Sequence, residues 1–245
     1  MKPVTSPDPG RLRRPPPAVT SIMVVAAHPD DMESWCAGTL ARAIDGGATV
    51  RLLLLTSGDK GTDDPALTAS QVAALREQEA QAAAQALGLT EVAFLRYPDG
   101  DLEDTRTLRG EVVAWIRRWR PQALFTHDPE QPYPPYLCHR DHRITGRVAL
   151  DAAYPLARDR LTFAEQGAAG LAPHCVAEVW LFASNAPTVY VDIAAAFDRK
   201  IAARLAHVSQ TPDPTALRAG WRQRAAAIGA PAGLALAEAF IVVQL

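Results

Sequence analysis

Residues 22–33 read IMVVAAHPDDME, an apolar run that ends in a cluster of charged and polar side chains. The aliphatic residues 22–26 predict a buried strand, and the apolar spacing further on predicts a helix over 33–45. Pro29 favours an extended backbone at His28, so the imidazole is held where the strand ends. Ligands of open α/β sheets bind outside the carboxyl ends of the strands. This stretch therefore predicts an α/β fold and a candidate site at one edge of its sheet.

Strands and helices alternate along most of the chain. We predict strands at 20–27, 48–56, 91–96 and 122–127, and helices at 33–45, 69–87, 106–119 and 141–156. Short strands near 176–182 and 188–192 and helices near 194–208 and 214–228 follow. Such alternation is typical of a doubly wound, mostly parallel sheet. The sequence thus predicts a single Rossmann-like α/β domain over residues 20–245.

The composition and the N-terminal segment narrow the class of protein. Hydrophobic residues make up 48% of the 245 residues, ample for a buried core, and the net charge of −2 gives no general case for nucleic acid binding. Residues 1–19 contain six prolines, which predicts a disordered arm or one docked on a neighbour. Neither a signal peptide nor a membrane span is apparent, and three cysteines without a framework spacing fit a reducing compartment. We expect a cytoplasmic protein with no membrane or nucleic-acid partner.

Two adjacent carboxylates, Asp30 and Asp31, follow His28 directly. One aspartate would serve as the N-cap of the next helix and would suit the positive end of its dipole. Two would repel each other unless a cation, or different functions for the two, made the arrangement tolerable. The pair therefore indicates a metal site.

A second polar cluster, CHRDHR at 138–143, follows the strand-like residues 123–126 in the same way. An isolated His-x-x-His pair is more often a feature of a solvated loop or helix, but here it accompanies the first cluster. Four of the six histidines come after predicted strands, where a metal ligand or a catalytic base is expected: His28, His127, His139 and His142.

The available ligands favour a catalytic zinc ion over a structural one. His28, Asp31 and His142 would supply two imidazoles and one carboxylate and leave a fourth position for water. A closed structural site usually needs several thiolates, and the three cysteines show no Cys-x-x-Cys spacing. Mg²⁺ is the weaker candidate because it prefers oxygen ligands and keeps its waters.

Motifs along the chain resemble those of the PIG-L/LmbE-like zinc-dependent N-deacetylases. The first is HPDD at 28–31, followed by Glu33 and by GTL at 38–40. The second is HRDH at 139–142, which is similar to the His-Pro-Asp-His motif of that family. Further similarities lie in order at 55–59, 76–80, 97–100, 191–193 and 207–210. The resemblance implies an LmbE-like fold and an activity like that of N-acetylglucosaminyl deacetylases.

The resemblance also implies functions for individual residues. His28, Asp31 and His142 would bind zinc, and Asp30 would be the general base for the metal-activated water. Bound zinc lowers the pKa of water to about 7, so a nearby carboxylate can take its proton. His139, as an imidazolium, would stabilise the oxyanion or protonate the leaving amine. Asp141 would orient one of the histidines through a hydrogen bond.

Three further residues are candidates for substrate contacts, and each has a simpler alternative. Arg76 matches a family position near the substrate, or it forms an ion pair with Glu77 or Glu79 on its helix. Asp99 would bind a sugar hydroxyl, or it belongs to a Pro-Asp-Gly turn. Arg140 replaces the usual proline of the second motif and would meet an anionic substrate group, or it is a solvated loop residue.

We therefore predict a zinc-dependent amidohydrolase that removes an N-acetyl or similar N-acyl group from an amino sugar or a sugar-containing metabolite. Two alternatives stay open. One is a metal-dependent hydrolase of another bond, such as a phosphoester, and the other is a zinc-bound binding protein without turnover. Members of the family are often homo-oligomers, so the resemblance implies a homo-oligomer here.

Overall fold

A computed structural model describes residues 14–130 and 139–245. Its strands are β1 Ser21–Ala26, β2 Thr49–Thr56, β3 Glu91–Tyr97, β4 Ala123–His127, β5 Glu178–Phe182, β6 Val189–Asp192 and β7 Ala237–Gln244. They form one sheet in the order β3-β2-β1-β4-β5-β7-β6. The first five strands of that order are parallel, while β7 runs antiparallel to both β5 and β6. The predicted fold class, an α/β domain with a mostly parallel sheet, is confirmed.

Helices cover both faces of the sheet. They are α1 Asp31–Trp35, α2 Ala37–Asp45, α3 Ala69–Leu87, α4 Arg106–Trp119, α5 Arg140–Asp151, α6 Ala164–Ala168, α7 Phe197–Leu205 and α8 Pro214–Gly229. Along β1, Ile22 and Val24 point into the core layer beneath α2 and α3, whereas Met23 and Val25 point into the layer beneath α4 and α5. A strand that is buried on both faces reads as a continuous apolar run, which explains the sequence of β1.

The order of the strands reverses between β1 and β4. The strands β2 and β3 lie on one side of β1, and β4 and β5 lie on the other side. At such a switch point an open α/β sheet leaves a crevice outside the carboxyl ends of the strands. His28 follows β1 and His127 is the last residue of β4. The polar residues that follow β1 and those at the end of β4 therefore face the same crevice.

Two predicted helices are shorter than expected. The helix predicted at 33–45 is divided into α1 and α2, because Cys36 leaves helical geometry with φ −138° and ψ 0°. The helix predicted at 141–156 ends its regular part at Asp151. Tyr154 is extended, with φ −147° and ψ 124°, since a residue before proline avoids the helical region.

The sequence analysis missed the last strand, β7. Its pairing partners β5 and β6 precede it by many residues, so no local pattern marks the contact. Phe240 of β7 packs edge-on against Phe125 of β4 and Trp180 of β5. The antiparallel strand thereby extends the core beyond the parallel part of the sheet.

The segment before β1 lies along the far edge of the sheet. The backbone N–H of Arg14 donates a hydrogen bond to the carbonyl of Tyr190 on β6 over 3.1 Å, and Pro17 is buried. Residues 1–13 of the predicted arm lie outside the described residues, and a domain boundary near residue 20 stays a prediction. Within 14–130 and 139–245, no helix combines the length and the hydrophobicity needed to cross a membrane.

Candidate metal centre

Four side chains converge in the crevice between β1 and β4. His28 follows β1, Asp31 begins α1, His127 ends β4, and His142 lies in the first turn of α5. The side chains of Asp31 and His127 are buried, whereas that of His142 keeps 20% of its surface exposed. The cluster is therefore enclosed by the protein on one side and accessible on the other.

The three predicted metal ligands lie close to one another. Nδ1 of His28 is 3.2 Å from Nε2 of His142 and 3.4 Å from Oδ2 of Asp31. Nε2 of His142 is 3.1 Å from Oδ1 of Asp31. Donor atoms about 2.0–2.1 Å from a tetrahedral zinc ion are about 3.3–3.4 Å apart. These side chains thus fit a small divalent cation in donor type and in spacing.

His127 is a competing donor in this cluster. Its Nε2 lies 3.2 Å from Oδ2 of Asp31, and its ring stacks on that of His142 with 4.2 Å between the centroids. The same nitrogen, however, accepts a hydrogen bond from the backbone N–H of Ala27 over 3.3 Å. Burial lowers the pKa of His127 to about 4. A neutral ring whose lone pair is engaged by the backbone is a poorer ligand than His28 or His142.

The other edge of the His28 ring faces two carboxylates. Its Nε2 is 2.9 Å from Oδ1 of Asp99 and 3.3 Å from Oδ2 of Asp141. Burial alone would lower the pKa of His28, but the bonds to Asp141, Asp31 and Asp99 outweigh burial and raise that pKa well above its usual range. When Nδ1 binds a metal, Nε2–H donates to these carboxylates and the ring is fixed in one tautomer and one orientation.

Asp141 is fully buried and connects two segments of the site. Its carboxylate accepts the backbone N–H of Gly100 over 2.7 Å and that of Leu102 over 3.3 Å. Burial would raise the pKa of Asp141, but the bonds from His28 and Gly100 lower it. Asp141 therefore remains ionised and holds the loop after β3, which carries Asp99, against α5.

Replacement of Asp141 with asparagine is expected to weaken metal affinity or kcat by about 10- to 100-fold, because a neutral amide makes His28 less basic and orients it less firmly. Chelator competition would give the metal dissociation constant, and a steady-state assay would give kcat. Asp101→Asn is the matched control, since it removes an exposed carboxylate paired with Lys60. If Asp141→Asn matched this control in both measurements, His28 would not depend on Asp141.

Asp30 lies beside the ligand cluster. Its φ of 90° is in the left-handed region, which residues other than glycine rarely adopt. Its Oδ1 is 3.6 Å from Nη2 of Arg76, and its Oδ2 is 3.4 Å from Nη2 of Arg204. Burial and the charge of Asp31 raise the pKa of Asp30, while the two arginines lower it. The carboxylate is thus held by two guanidinium groups next to the candidate ligands.

His139 forms the N-cap of α5. Its Nδ1 accepts the backbone N–H of Asp141 over 3.2 Å, so the proton of the neutral ring is on Nε2. The ring stands edge-on to His28 with 4.7 Å between the centroids. Partial burial lowers the pKa of His139, and the charges of His28 and His142 lower it further. The Nε2–H of His139 is a hydrogen-bond donor in either protonation state, and its function as an imidazolium stays a prediction.

Arg76 is buried under the loop that follows β2. Its Nη1 donates to the carbonyl of Gly58 over 3.1 Å, and its Nη2 donates to that of Pro29 over 2.7 Å. A side chain at Gly58 would collide with the guanidinium group. The helical ion pair considered as an alternative does not form, because Glu77 pairs with Arg96 and Glu79 accepts hydrogen bonds from Ser209. The hydrogen bond from Arg76 to Pro29 therefore fixes the backbone next to Asp30.

Asp99 and Arg140, the other two candidates for substrate contacts, differ in their surroundings. Asp99 is 8% exposed and contacts His28, and its backbone N–H donates to Asp59. Arg140 is exposed in the first turn of α5, and its side chain makes no hydrogen bond or ion pair within residues 14–130 and 139–245. Contact of Arg76, Asp99 or Arg140 with a substrate stays a prediction.

Two residues at the site received no individual function in the sequence analysis. His127 had a signal, namely its position at the end of a predicted strand. Arg204 had none, because it reaches Asp30 only through the packing of α7 against α3. Its Nη1 donates to Oγ1 of Thr211 over 2.7 Å, and its Nη2 donates to the carbonyl of Gln210 over 3.0 Å.

A mostly parallel α/β sheet with a His-Asp-His cluster at its switch point defines a candidate metal-dependent hydrolase. Residues 23–153 match the model of the PIG-L family, which is described as GlcNAc-PI de-N-acetylase. The chain belongs to this family and is an amidohydrolase of the deacetylase type. The resemblance predicted from the motifs is thereby confirmed.

Individual relatives agree with this assignment. The chain is 32% identical to diacetylchitobiose deacetylase of Thermococcus kodakarensis over 80% of this chain and 72% of that protein. It is 34% identical to the 1D-myo-inositol 2-acetamido-2-deoxy-alpha-D-glucopyranoside deacetylase of Streptomyces avermitilis over 54% of this chain and 52% of that protein, about half its length. The structure of N,N'-diacetylchitobiose deacetylase from Pyrococcus horikoshii, complexed with its inhibitor MPG, superimposes with a TM-score of 0.86 and 28% identity, covering 92% of this chain and 84% of that one.

Proposed function

We propose that this protein is a zinc-dependent N-deacetylase that removes an acetyl group, or a similar acyl group, from the nitrogen of an amino sugar or a sugar-containing metabolite. The observation that carries the proposal is the contact of His28, Asp31 and His142 beside the carboxylate of Asp30. The two relatives named as deacetylases of acetylated amino sugars support the choice of substrate class.

The chain supplies three ligands and a base. A zinc ion bound by His28, Asp31 and His142 would polarise the substrate carbonyl and lower the pKa of a bound water. Asp30 would take a proton from the water that attacks the carbonyl carbon and would give it to the amide nitrogen as the carbon–nitrogen bond breaks. The products are a carboxylic acid and a free amine, which at neutral pH become a carboxylate and an ammonium group, so atoms and protons balance.

The remaining residues of the cluster orient the proposed ligand His28 and the proposed base Asp30, and they stabilise the charge that develops on the substrate. Nε2–H of His139 donates a hydrogen bond to the oxygen on which negative charge develops. Asp99 and Asp141 hold the His28 ring through its Nε2. Arg76 and Arg204 hold the carboxylate of Asp30. Arg76, Asp99 and the exposed Arg140 are the side chains that we assign to the substrate.

The donor set favours the proposal over the two alternatives. The imidazoles of His28 and His142, which both lie beside Asp31, favour zinc over Mg²⁺, because Mg²⁺ prefers oxygen ligands. This weakens the case for a phosphoester hydrolase. Asp30 and His139 lie beside the proposed ligands, and a zinc-bound protein without turnover has no need of a base or a hydrogen-bond donor there. A cytoplasmic location and a homo-oligomeric state remain predictions from the sequence.

The test is the release of primary amine by zinc-loaded protein from N-acetylglucosamine, N,N'-diacetylchitobiose, an N-acetylglucosaminyl inositol and an N-acetylglucosamine phosphate. Release of amine and acetate in equal amounts is expected from at least one of them, and the same protein should leave phosphate esters intact. The chelated protein, measured before and after zinc is restored, is the control.

Three results would count against the proposal. Phosphate release without amine release would establish the phosphoester hydrolase. Bound zinc with no turnover on a broad panel of sugar and non-sugar amides would establish the binding protein. Full activity in the chelated protein would show that the reaction does not require a metal.

A further inference from the structure

The guanidinium group of Arg204 is held by a short segment that follows α7. This segment consists of the 3₁₀ turn Val208–Gln210 and the next residue, Thr211. Nη1 of Arg204 donates to Oγ1 of Thr211 over 2.7 Å, and Nη2 donates to the carbonyl of Gln210 over 3.0 Å. The same Nη2 lies 3.4 Å from Oδ2 of Asp30. The position of Arg204 beside the proposed base therefore depends on the acceptor atoms of this segment.

The hydroxyl group of Thr211 is a fixed acceptor for Arg204. It is buried, and it donates its single proton to the carbonyl of His207 over 2.8 Å. Its lone pairs are then available to accept from Arg204. Hydrogen bonds from a charged donor are stronger than those between neutral groups. Since the guanidinium group is planar and rigid, Thr211 fixes Nη1 and thereby also the position of Nη2 next to Asp30.

The 3₁₀ turn is in turn attached to α3. Oε1 of Glu79 accepts the backbone N–H of Ser209 over 2.6 Å, and Oε2 accepts the hydroxyl group of Ser209 over 2.7 Å. Arg76, which lies near the other oxygen of Asp30, precedes Glu79 by three residues. Residues three apart project from the same face of a helix. One face of α3 therefore sets both guanidinium groups, that of Arg76 directly and that of Arg204 through the turn.

The carboxylate of Asp30 has few other restraints. It makes no capping hydrogen bond with α1. Within the described part of the chain, only Arg76 and Arg204 form ion pairs with it. A shift of Arg204 would therefore move the carboxylate relative to the proposed metal ligands. A displacement of about 1 Å at a reacting group can lower a rate by about 100-fold.

We propose that Thr211 and Glu79 are positioning residues for the deacetylation. Thr211 directs Arg204 against Asp30, and Glu79 holds the turn that precedes Thr211. This inference rests on the proposed function, in which Asp30 is the base. The hydrogen bonds of both side chains go to Arg204, His207 and Ser209, and not to a proposed metal ligand. Their loss should therefore lower kcat and leave KM and metal affinity unchanged.

The first test compares variants of Thr211 on whichever of the four acetylated sugars named above is hydrolysed fastest. Thr211→Val keeps the branched shape but removes the acceptor, and it should lower kcat by about 10- to 100-fold, with KM and zinc content unchanged. Thr211→Ser restores the hydroxyl group and should bring kcat back close to that of the unaltered protein. Glu79→Gln keeps the size of the side chain but places an amide against one donor of Ser209, so it should also lower kcat.

A crystal structure of zinc-loaded Thr211→Val gives a measurement that does not depend on turnover. It should show the guanidinium group of Arg204 turned away from Asp30. An Arg204 that kept both its place and its contact with Asp30 would overturn the inference, whichever substrate the protein uses.

Thr90→Val is the matched control, because Thr90 also donates to a backbone carbonyl, that of Val50, but precedes β3 at the opposite edge of the sheet. It should retain kcat. The double variant Asp30→Asn/Thr211→Val should turn over as fast as Asp30→Asn alone, since the carboxylate that Arg204 positions is absent. A further loss in the double variant would show that Thr211 acts on the fold as a whole, and the inference would be wrong.

Unchanged kcat in both Thr211→Val and Glu79→Gln would also overturn the inference. The proposed function would survive that result as long as Asp30→Asn lost turnover, so the two failures are distinguishable. If Thr211→Val did not fold, Glu79→Gln, alone and combined with Asp30→Asn, would decide.

Discussion

Replacement of Asp30 with asparagine is expected to lower kcat by about 100- to 10,000-fold and to leave the bound metal in place. An amide cannot take the proton of the attacking water, while its shape matches that of the carboxylate. Asparagine is also tolerated in the left-handed region that residue 30 occupies, with φ 90°. Alanine there would add backbone strain to the chemical change. Amine release and metal content, measured on the same sample, check the prediction.

Asp101→Asn again serves as the control, because it removes a carboxylate that is exposed and paired with Lys60. It should retain both turnover and metal. Loss of metal from Asp30→Asn would make Asp30 a ligand instead of a base. Unchanged kcat with the metal retained would show that another group takes the proton.

The contacts of Asp30 explain why we separate it from the ligands. Its two oxygens lie near Arg76 and Arg204, 3.6 and 3.4 Å away, whereas those of Asp31 lie near the imidazoles of His28, His127 and His142. Adjacent aspartates thus have different electrostatic partners. Histidines keep the pKa of Asp31 well below its usual range against the effect of burial, whereas the pKa of Asp30 is raised. Such a division suits one ligand and one base.

The parts of the fold with strong local signals could be predicted from the sequence. Helix α3 begins after Thr68, whose side chain forms a capping box with Gln71, and helix α4 begins after Thr105, which accepts the N–H of Leu108. Both helices have the predicted bounds. A cap and an apolar periodicity lie within a few residues of each other, so sequence alone contains them.

Features that depend on distant residues could not be predicted. Strand β7 forms only where β5 and β6 offer edges, and Arg204 meets Asp30 only because α7 packs beside α3. The cluster of His28, Asp31 and His142 was predictable for a different reason. Its residues lie in two short motifs that each follow a strand, and parallel strands bring their carboxyl ends to one edge.

His142→Ala is expected to abolish turnover and to weaken metal binding. Loss of a residue that only supports a ligand typically lowers metal affinity by about 10- to 100-fold, and we expect a larger decrease here. The substitution removes one of three proposed protein donors and leaves His28 and Asp31 as an incomplete set. Metal content after dialysis and the rise in Tm on addition of zinc check the prediction. A protein that no longer binds the ion should gain no stability from it.

His174→Ala is the matched control, because that histidine lies outside the cluster and contacts the carbonyl of Pro121. His127→Gln then separates the two candidate ligand sets. Since Nε2 of His127 accepts the N–H of Ala27, we expect this variant to keep the metal. If His127→Gln lost the ion as completely as His142→Ala, the ligands would be Asp31, His127 and His142, whose donor atoms also lie within 4.8 Å of one another. His28 would then belong with Asp99 and Asp141 as an ionised histidine beside the metal, and not as its ligand.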